Sequence, residues 1–218
     1  MTSKILKISF TKHAQCEPEV NIWNIFDIEH PPFMHGKRKH GDGMDPSAIL
    51  FEKDNFNITL DTQRLPFLTF IKRQSIMFHY ADIENNTVYQ YSSFHGILIA
   101  QKYTAEICSD IKDQKDVLSK FDVNIAFHLE GWKIILSPLI RWYASKWLTQ
   151  TWVEDLEMKE RRQKFIDLGF QDMKGVPASL SQRIGKKQFL NLPLPRADEK
   201  MIDHPFAYKY LKKKEFFK

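Results

Sequence analysis

Asp27, His30 and His35 are the residues whose types and spacing most directly indicate chemistry, in the order Asp-x-x-His-x-x-x-x-His. Two neutral imidazoles can fill two positions of a metal ion. A carboxylate from elsewhere in the chain would complete a facial triad, which leaves sites open for oxygen or substrate and suits iron(II). Asp27 stands one helical turn before His30, where it could accept the second ring N–H of that histidine and fix its tautomer.

This segment resembles the iron-binding motif of the catalytic domain of Rieske-type non-haem iron aromatic-ring oxygenases. The resemblance implies that His30 and His35 bind iron, and that Asp27 links the iron site to an electron-donating cluster. It also implies a third ligand, an aspartate near the start of the long C-terminal helix, for which Asp155 is the best match. The implied cofactor is Fe(II), and the implied reaction is oxygen insertion into an apolar molecule.

The chain departs from that family in its electron supply and in the local geometry of the motif. A Rieske cluster needs two Cys and two His in paired short motifs, whereas Cys16 and Cys108 are surrounded by neither motif. Electrons would therefore come from a separate redox protein. Pro31 and Pro32 also interrupt the helical pattern, because a residue before proline is pushed towards extended geometry, so His35 must come from a following turn.

A structural role is the alternative for each histidine. His30 and His35 could be polar residues around a helix end, with Asp27 a solvated charge, and His40 stands in a basic loop where solvent exposure is the expectation. Three further histidines fall in predicted strands. Each is a candidate for substrate binding or proton transfer in a cavity, although a core or outward-facing position is favoured for each alone: His79, His95 and His128.

Composition predicts one soluble domain. A chain of 218 residues that is 43% hydrophobic can bury one substantial core, and the net charge of +5 permits anionic partners without requiring them. Nothing in it indicates nucleic-acid recognition. Two separated cysteines favour a reducing compartment, and neither a signal peptide nor an apolar run of ~18 residues is evident, so a cytoplasmic protein without a transmembrane segment is expected.

The pattern of residues predicts a strand, a helix, an antiparallel sheet and a long closing helix. Residues 4–12 alternate as a strand, and a helix opens near Glu17 and runs towards the double proline. From Ala48 to Leu136 strands follow one another, including long β-rich runs at 67–80 and 88–107 and a last strand at 132–136, with a hairpin tip at Asn85-Asn86. A helix is predicted from Pro138 to about Leu168.

The inner face of the long helix is predicted to carry carboxylates at its centre. Because an unpaired buried charge is costly, the pair Glu154 and Asp155 must meet a metal, water or an arginine such as Arg161 or Arg162. The predicted inner stripe is apolar on either side of that pair: Ile140, Tyr143, Trp147, Thr151, Glu154 or Asp155, Met158, Arg162 and Phe165.

This element order is that of the α+β helix-grip fold, seen in START-like ligand-binding domains and in the oxygenase catalytic domain. The domain is expected to span residues 1–190. An extended basic and aromatic tail at 191–218 could touch an anionic membrane surface weakly, although a solvated terminus is favoured.

Three functions stay open at this point. The first is an iron-dependent oxygenase-like domain acting on an apolar small molecule. The second is a non-catalytic START-like carrier of a lipid or hydrophobic metabolite. The third is a structural subunit whose cavity is filled by its own side chains. The fold hosts carriers, cyclases and oxygenases alike, so architecture alone does not choose between them.

Overall fold

The computed structural model describes seven stretches of the chain: residues 2–26, 48–53, 56–65, 68–82, 84–94, 96–108 and 119–170. Four of the histidines singled out above lie outside the described residues, as do Asp27 and the tail at 191–218: His30, His35, His40 and His95.

Seven strands and two helices, with one 3₁₀ helix, make up the described fold. The strands are β1 (Ser3–Ala14), β2 (Ala48–Lys53), β3 (Phe56–Leu65), β4 (Leu68–Asp82), β5 (Thr87–Phe94), β6 (Ile97–Ile107) and β7 (Ser119–Glu130). The helices are α1 (Pro18–Phe26) and α2 (Ser137–Asp167), and the 3₁₀ helix spans Gly131–Leu136. The predicted order of strand, helix, sheet and long closing helix is confirmed.

The strands form one antiparallel sheet in the order β1-β7-β6-β5-β4-β3-β2. The first strand therefore pairs with the last, and the others follow as a meander. Helix α1 contacts β5, β6 and β7, and α2 contacts β1 and α1. Both helices lie on one face of the sheet, so the fold is the predicted α+β helix grip.

The core lies between that face and the helices. In β7 the inward side chains alternate regularly with outward ones, as expected for a strand with one buried face. The inward set is Phe121, Val123, Ile125, Phe127 and Leu129, all buried. Trp152 on α2 packs against this set, with its ring centroid 5.3 Å from that of Phe121 and 6.2 Å from that of Phe10.

Two strand predictions were wrong in detail. The run 88–107 is not continuous but forms the β5–β6 hairpin, where Gly96 adopts a φ of +73° that other residues rarely reach. The predicted strand at 132–136 is the 3₁₀ helix. The strand before it, β7, pairs with β1, whose first residue Ser3 lies opposite Glu130. The chain beyond Glu130 therefore has no β1 residue to pair with, and it turns at Gly131, which has a φ of +58°.

The predicted inner stripe of the long helix was displaced by about one position, although the helix itself is confirmed. Two of the buried residues are polar and are held by distant partners, Lys159 by Asn21 on α1 and Gln163 by the backbone N–H of Glu17 just before α1, which periodicity alone does not reveal. The buried face consists of Ser137, Ala144, Leu148, Trp152, Asp155, Lys159, Gln163 and Ile166.

Candidate functional site

The inward face of the sheet changes character from one side to the other. On β1 and β7 it is apolar, but from β3 to β6 it carries a set of buried polar side chains that we call the inner polar patch. Its members are neighbours by strand register, as in the row Asn57, His79, Gln90 and Gln101. The complete patch consists of Asn57, Thr59, Asp61, His79, Gln90, Ser92 and Gln101.

His79 lies at the centre of this patch and is held on both ring nitrogens. Its Nε2 is 3.2 Å from Thr59 Oγ1, and its Nδ1 is 3.0 Å from Gln90 Nε2. Since an amide nitrogen can only donate, Nδ1 accepts and Nε2 carries the proton, which Thr59 accepts. Gln90 Nε2 is also 3.3 Å from the carbonyl oxygen of Ile25, which ties the patch to α1.

Burial keeps the imidazole of His79 neutral. Loss of hydration lowers the pKa of His79 from 6.5 to about 3. At neutral pH its ring is therefore a neutral hydrogen-bonding group, and the interior at this point has no positive charge from His79 to attract an anion.

The side chain of Asn57, a member of the patch, lacks any hydrogen-bond partner within the described part of the chain. It is 0% exposed, and both its Oδ1 and its Nδ2 are without a partner there. A buried polar atom left unsatisfied costs about 1–3 kcal/mol, so contacts within the described fold do not offset the burial of this amide. A buried amide of this kind calls for an explanation outside the packing of the core, and completion of its hydrogen bonds by another molecule is one.

A second polar cluster lies on the helix side of the interior, around Lys159. The side chain of Lys159 is 0% exposed, and its Nζ donates to Asn21 Oδ1 at 2.8 Å. The ammonium lies 4.3 Å from the ring centroid of Phe121 and 4.4 Å from that of Trp152. Two aromatic faces thus supply the cation–π attraction that replaces part of its lost hydration.

Asn21 extends this cluster towards the sheet. Its Nδ2 donates to Ser119 Oγ at 3.1 Å, and the same hydroxyl lies 4.0 Å from Cys16 Sγ. On the other side, Gln163 Oε1 accepts from the backbone N–H of Glu17 at 2.8 Å. These bonds fasten α2 to α1 and β7, and they explain why polar side chains occupy the buried face of α2.

Burial shifts the pKa of both Lys159 and Cys16 towards the neutral form. Loss of hydration lowers the pKa of Lys159 from 10.5 to about 8, although Asp155 and Cys16 oppose the shift. Burial raises the pKa of the Cys16 thiol from 9.0 to about 11, against the opposing charge of Lys159 and the hydroxyl of Ser119. Cys16 is therefore a protonated, unreactive thiol at neutral pH.

Asp155, the predicted third iron ligand, is buried on the inner face of α2 with 3% exposure. Its charge raises the pKa of Lys159, which places the two groups in one electrostatic environment. Of the two arginines considered above, Arg161 instead bonds Glu157 at 3.0 Å on the exposed side of the helix. A buried lysine thus lies near enough to this carboxylate to feel its charge, a neighbour that the sequence analysis had not considered.

Tyr103 connects the two polar clusters. Its ring stacks on Phe121 at a centroid distance of 6.0 Å, and its hydroxyl donates to Gln101 Oε1 at 2.6 Å. Burial and the nearby charge of Asp155 both raise its pKa. A continuous series of contacts therefore connects the inner polar patch, through Tyr103 and Phe121, to Lys159.

The structure describes only part of the predicted iron site. Asp155 faces the interior as the prediction requires, but Asp27, His30 and His35 lie outside the described residues. Within the described ranges no group of three or more His, Cys, Asp or Glu side chains is arranged to hold a metal. Of the other candidate histidines, His79 faces the interior. His128 alternates with buried neighbours on β7 and lies on the outward face.

The comparisons with known proteins support the fold. No protein-family model matches the chain, and no curated protein does. Among solved structures, the Zhui aromatase/cyclase from Streptomyces sp. R1128 is 8% identical with a TM-score of 0.50, and the match covers 74% of this chain and 94% of that one. A norcoclaurine synthase point mutant from Thalictrum flavum is 11% identical with a TM-score of 0.51, covering 73% of this chain and 96% of the other.

A Rieske monooxygenase, CntA, is also similar in structure. It is 14% identical with a TM-score of 0.50, and the match covers 83% of this chain but 45% of that protein. At such identities the likeness shows a START/Bet v1-like helix-grip fold and carries no residue roles. The described helices include none that is long and apolar enough to span a membrane.

Proposed function

We propose that this protein binds a largely apolar small molecule, bearing a few hydrogen-bonding groups, between the inward face of its sheet and the two helices. The observation that carries the proposal is the inner polar patch. A core that serves only stability is apolar, because buried polar groups contribute little net free energy even when they are paired. Here polar side chains occupy the inward face of the sheet, and one of them, Gln90, donates to the carbonyl oxygen of Ile25 on α1.

The surroundings of the patch fit such a ligand. Ligand sites are mostly apolar with a small number of placed polar groups, and sites of this kind recur in the concave interior of a fold. Tyr103, Phe121 and Trp152 supply aromatic surface, and the patch supplies neutral donors and acceptors. The helix-grip fold of the structural neighbours is compatible with hydrophobic binding.

Titration with N-phenyl-1-naphthylamine, an apolar dye whose fluorescence rises on burial, tests the proposal. We expect saturable binding with one dye per chain. Ser92→Leu, which adds apolar volume to the patch, should weaken binding at least tenfold. Val153→Glu, on the exposed face of α2 beside an open groove, should leave it unchanged. Absence of saturable binding by the wild-type protein, or loss of binding only in Val153→Glu, would contradict the proposal.

A second candidate function is iron-dependent oxygenation, which the inward position of Asp155 favours. The described residues fit a metal only in part, because a divalent cation at Asp155 would lie in the same electrostatic environment as the buried Lys159 ammonium, which would repel it. Metal analysis of protein purified without oxygen tests this candidate. Stoichiometric iron that is lost in His30→Ala and in Asp155→Asn would support it, and iron-free protein would reject it.

A further inference from the structure

We propose that Asn57 is the polar anchor of the interior site, and that it takes a neutral planar group with a hydrogen-bond donor and acceptor side by side, as in a lactam or a carboxamide. This inference rests on the proposed function, since it names the chemistry of the ligand that the inner polar patch would hold.

Two fully buried asparagines of this protein differ in their hydrogen bonding. Asn21 and Asn57 are both 0% exposed. The Asn21 amide accepts from Lys159 and donates to Ser119, so its presence is explained by the fold. The Asn57 amide has neither kind of partner among the described residues. Folding alone therefore does not account for an amide at position 57.

The position of Asn57 places its amide beside polar groups that already have partners. It pairs in register with His79 across β3 and β4, so the two side chains project from the same face of the sheet. His79 is already held by Thr59 and Gln90, which leaves it oriented beside the amide rather than bonded to it. A ligand at Asn57 would therefore contact neutral polar side chains whose orientation is fixed by their own hydrogen bonds.

The charge and the hydrogen-bond pattern around Asn57 favour a neutral ligand group. An amide offers one acceptor and one donor in a plane, and a lactam or carboxamide edge matches both at once. An anionic ligand is disfavoured, because His79 is neutral and the buried carboxyl of Asp61 stands four residues further along β3, on the same face. A neutral donor–acceptor group satisfies the amide without placing another charge in the interior.

Two matched probes test this inference: 2-quinolone, a bicyclic lactam, and its N-methyl derivative, which keeps the carbonyl and the rings but loses the N–H. A site built to hydrogen-bond a ligand discriminates strongly against an analogue that leaves its polar group unpaired. We expect wild-type protein to bind 2-quinolone at least tenfold more tightly, as measured by chemical-shift titration. Asn57→Leu should reduce that preference to less than twofold.

Thermal unfolding of two leucine variants provides the control for a merely structural role. Asn57→Leu should raise Tm by about 3 °C, because it removes an unsatisfied buried amide, whereas Asn21→Leu should lower it by breaking paired bonds. Equal affinities of wild-type protein for the two quinolones, or a fall in Tm for Asn57→Leu, would overturn the inference. Failure of both quinolones to bind while the naphthylamine dye still binds would overturn it and leave the proposed function standing. Failure of all three would overturn both.

Discussion

Lys159 should make the stability of this protein rise with pH in the mildly alkaline range. Its pKa is about 8 in the folded protein and 10.5 in the ordinary exposed state. Between these values the unfolded chain binds more protons than the folded one, so the free energy of unfolding increases as pH rises. Below about pH 8 the ammonium remains charged in both states, and the full penalty of burying it is present.

The size of the effect follows from the shift. Each pKa unit corresponds to about 1.4 kcal/mol, so the free energy of unfolding should gain about 2 to 3 kcal/mol between pH 7 and pH 10. Cys16 acts in the opposite direction, because its pKa is raised from 9.0 to about 11 and its contribution is lost as pH rises through that window. The comparison is therefore made in a Cys16→Ala background.

Urea unfolding at a series of pH values measures this effect. Cys16→Ala protein should show the alkaline gain, and Cys16→Ala with Lys159→Met should lack it. The double variant is also expected to be less stable at pH 7, because Lys159→Met leaves the buried side-chain carbonyl oxygen of Asn21 without its donor. Parallel pH profiles for the two proteins would refute the reasoning, since the gain would then come from another group.

Three further predictions concern other parts of the structure. His79 has a pKa of about 3 against an ordinary 6.5, so stability should fall as pH drops from 6.5 towards 3, by up to about 5 kcal/mol, and acid titration of His79→Asn followed by circular dichroism should show a smaller fall. Asp155→Asn should lower the Lys159 pKa further, which moves the stability gain to lower pH in the same urea series; an unmoved profile would show that the two groups are not coupled. Gly96→Ala should destabilise the β5–β6 hairpin by about 1 kcal/mol or more, because the residue has a φ of +73° and a Cβ there would stand 2.9 Å from Lys133 Nζ; an unchanged urea midpoint would contradict this.

The architecture was predictable because it rests on periodicity. Alternation in residues 4–12, the Asn85-Asn86 turn and the helical pattern from Pro138 each report a local preference, and the described elements agree with them. The strand predicted at 132–136 failed for a non-local reason. Its β propensity is real, but β1, the strand that pairs with β7, begins at Ser3 opposite Glu130 and places no residue opposite positions 132–136. A local pattern cannot report where a partner strand begins.

The sequence analysis missed most of the interior polar groups for the same reason, because their burial depends on partners that are distant in sequence. Lys159 is typical of an exposed helix position, and only its bond to Asn21, 138 residues away in sequence, and the rings of Phe121 and Trp152 make it a buried one. Asn57 stands between Phe56 and Ile58 in a β-rich run, where it is expected to face solvent. The sequence indicates the inner polar patch only weakly, because Asn57, His79 and Gln90 become neighbours only once the pairing register of the strands is known.

The central claim is that a small molecule binds at the inner polar patch, and an NMR titration with N-phenyl-1-naphthylamine tests it most directly. Backbone amide shifts of isotope-labelled protein locate the bound dye along the chain. We predict that the largest shifts fall on the strands β3 to β6, around Thr59, His79 and Gln90. Shifts confined to the exposed face of α2, around Trp142 and Val153, or saturation without any shift in those strands, would contradict the account.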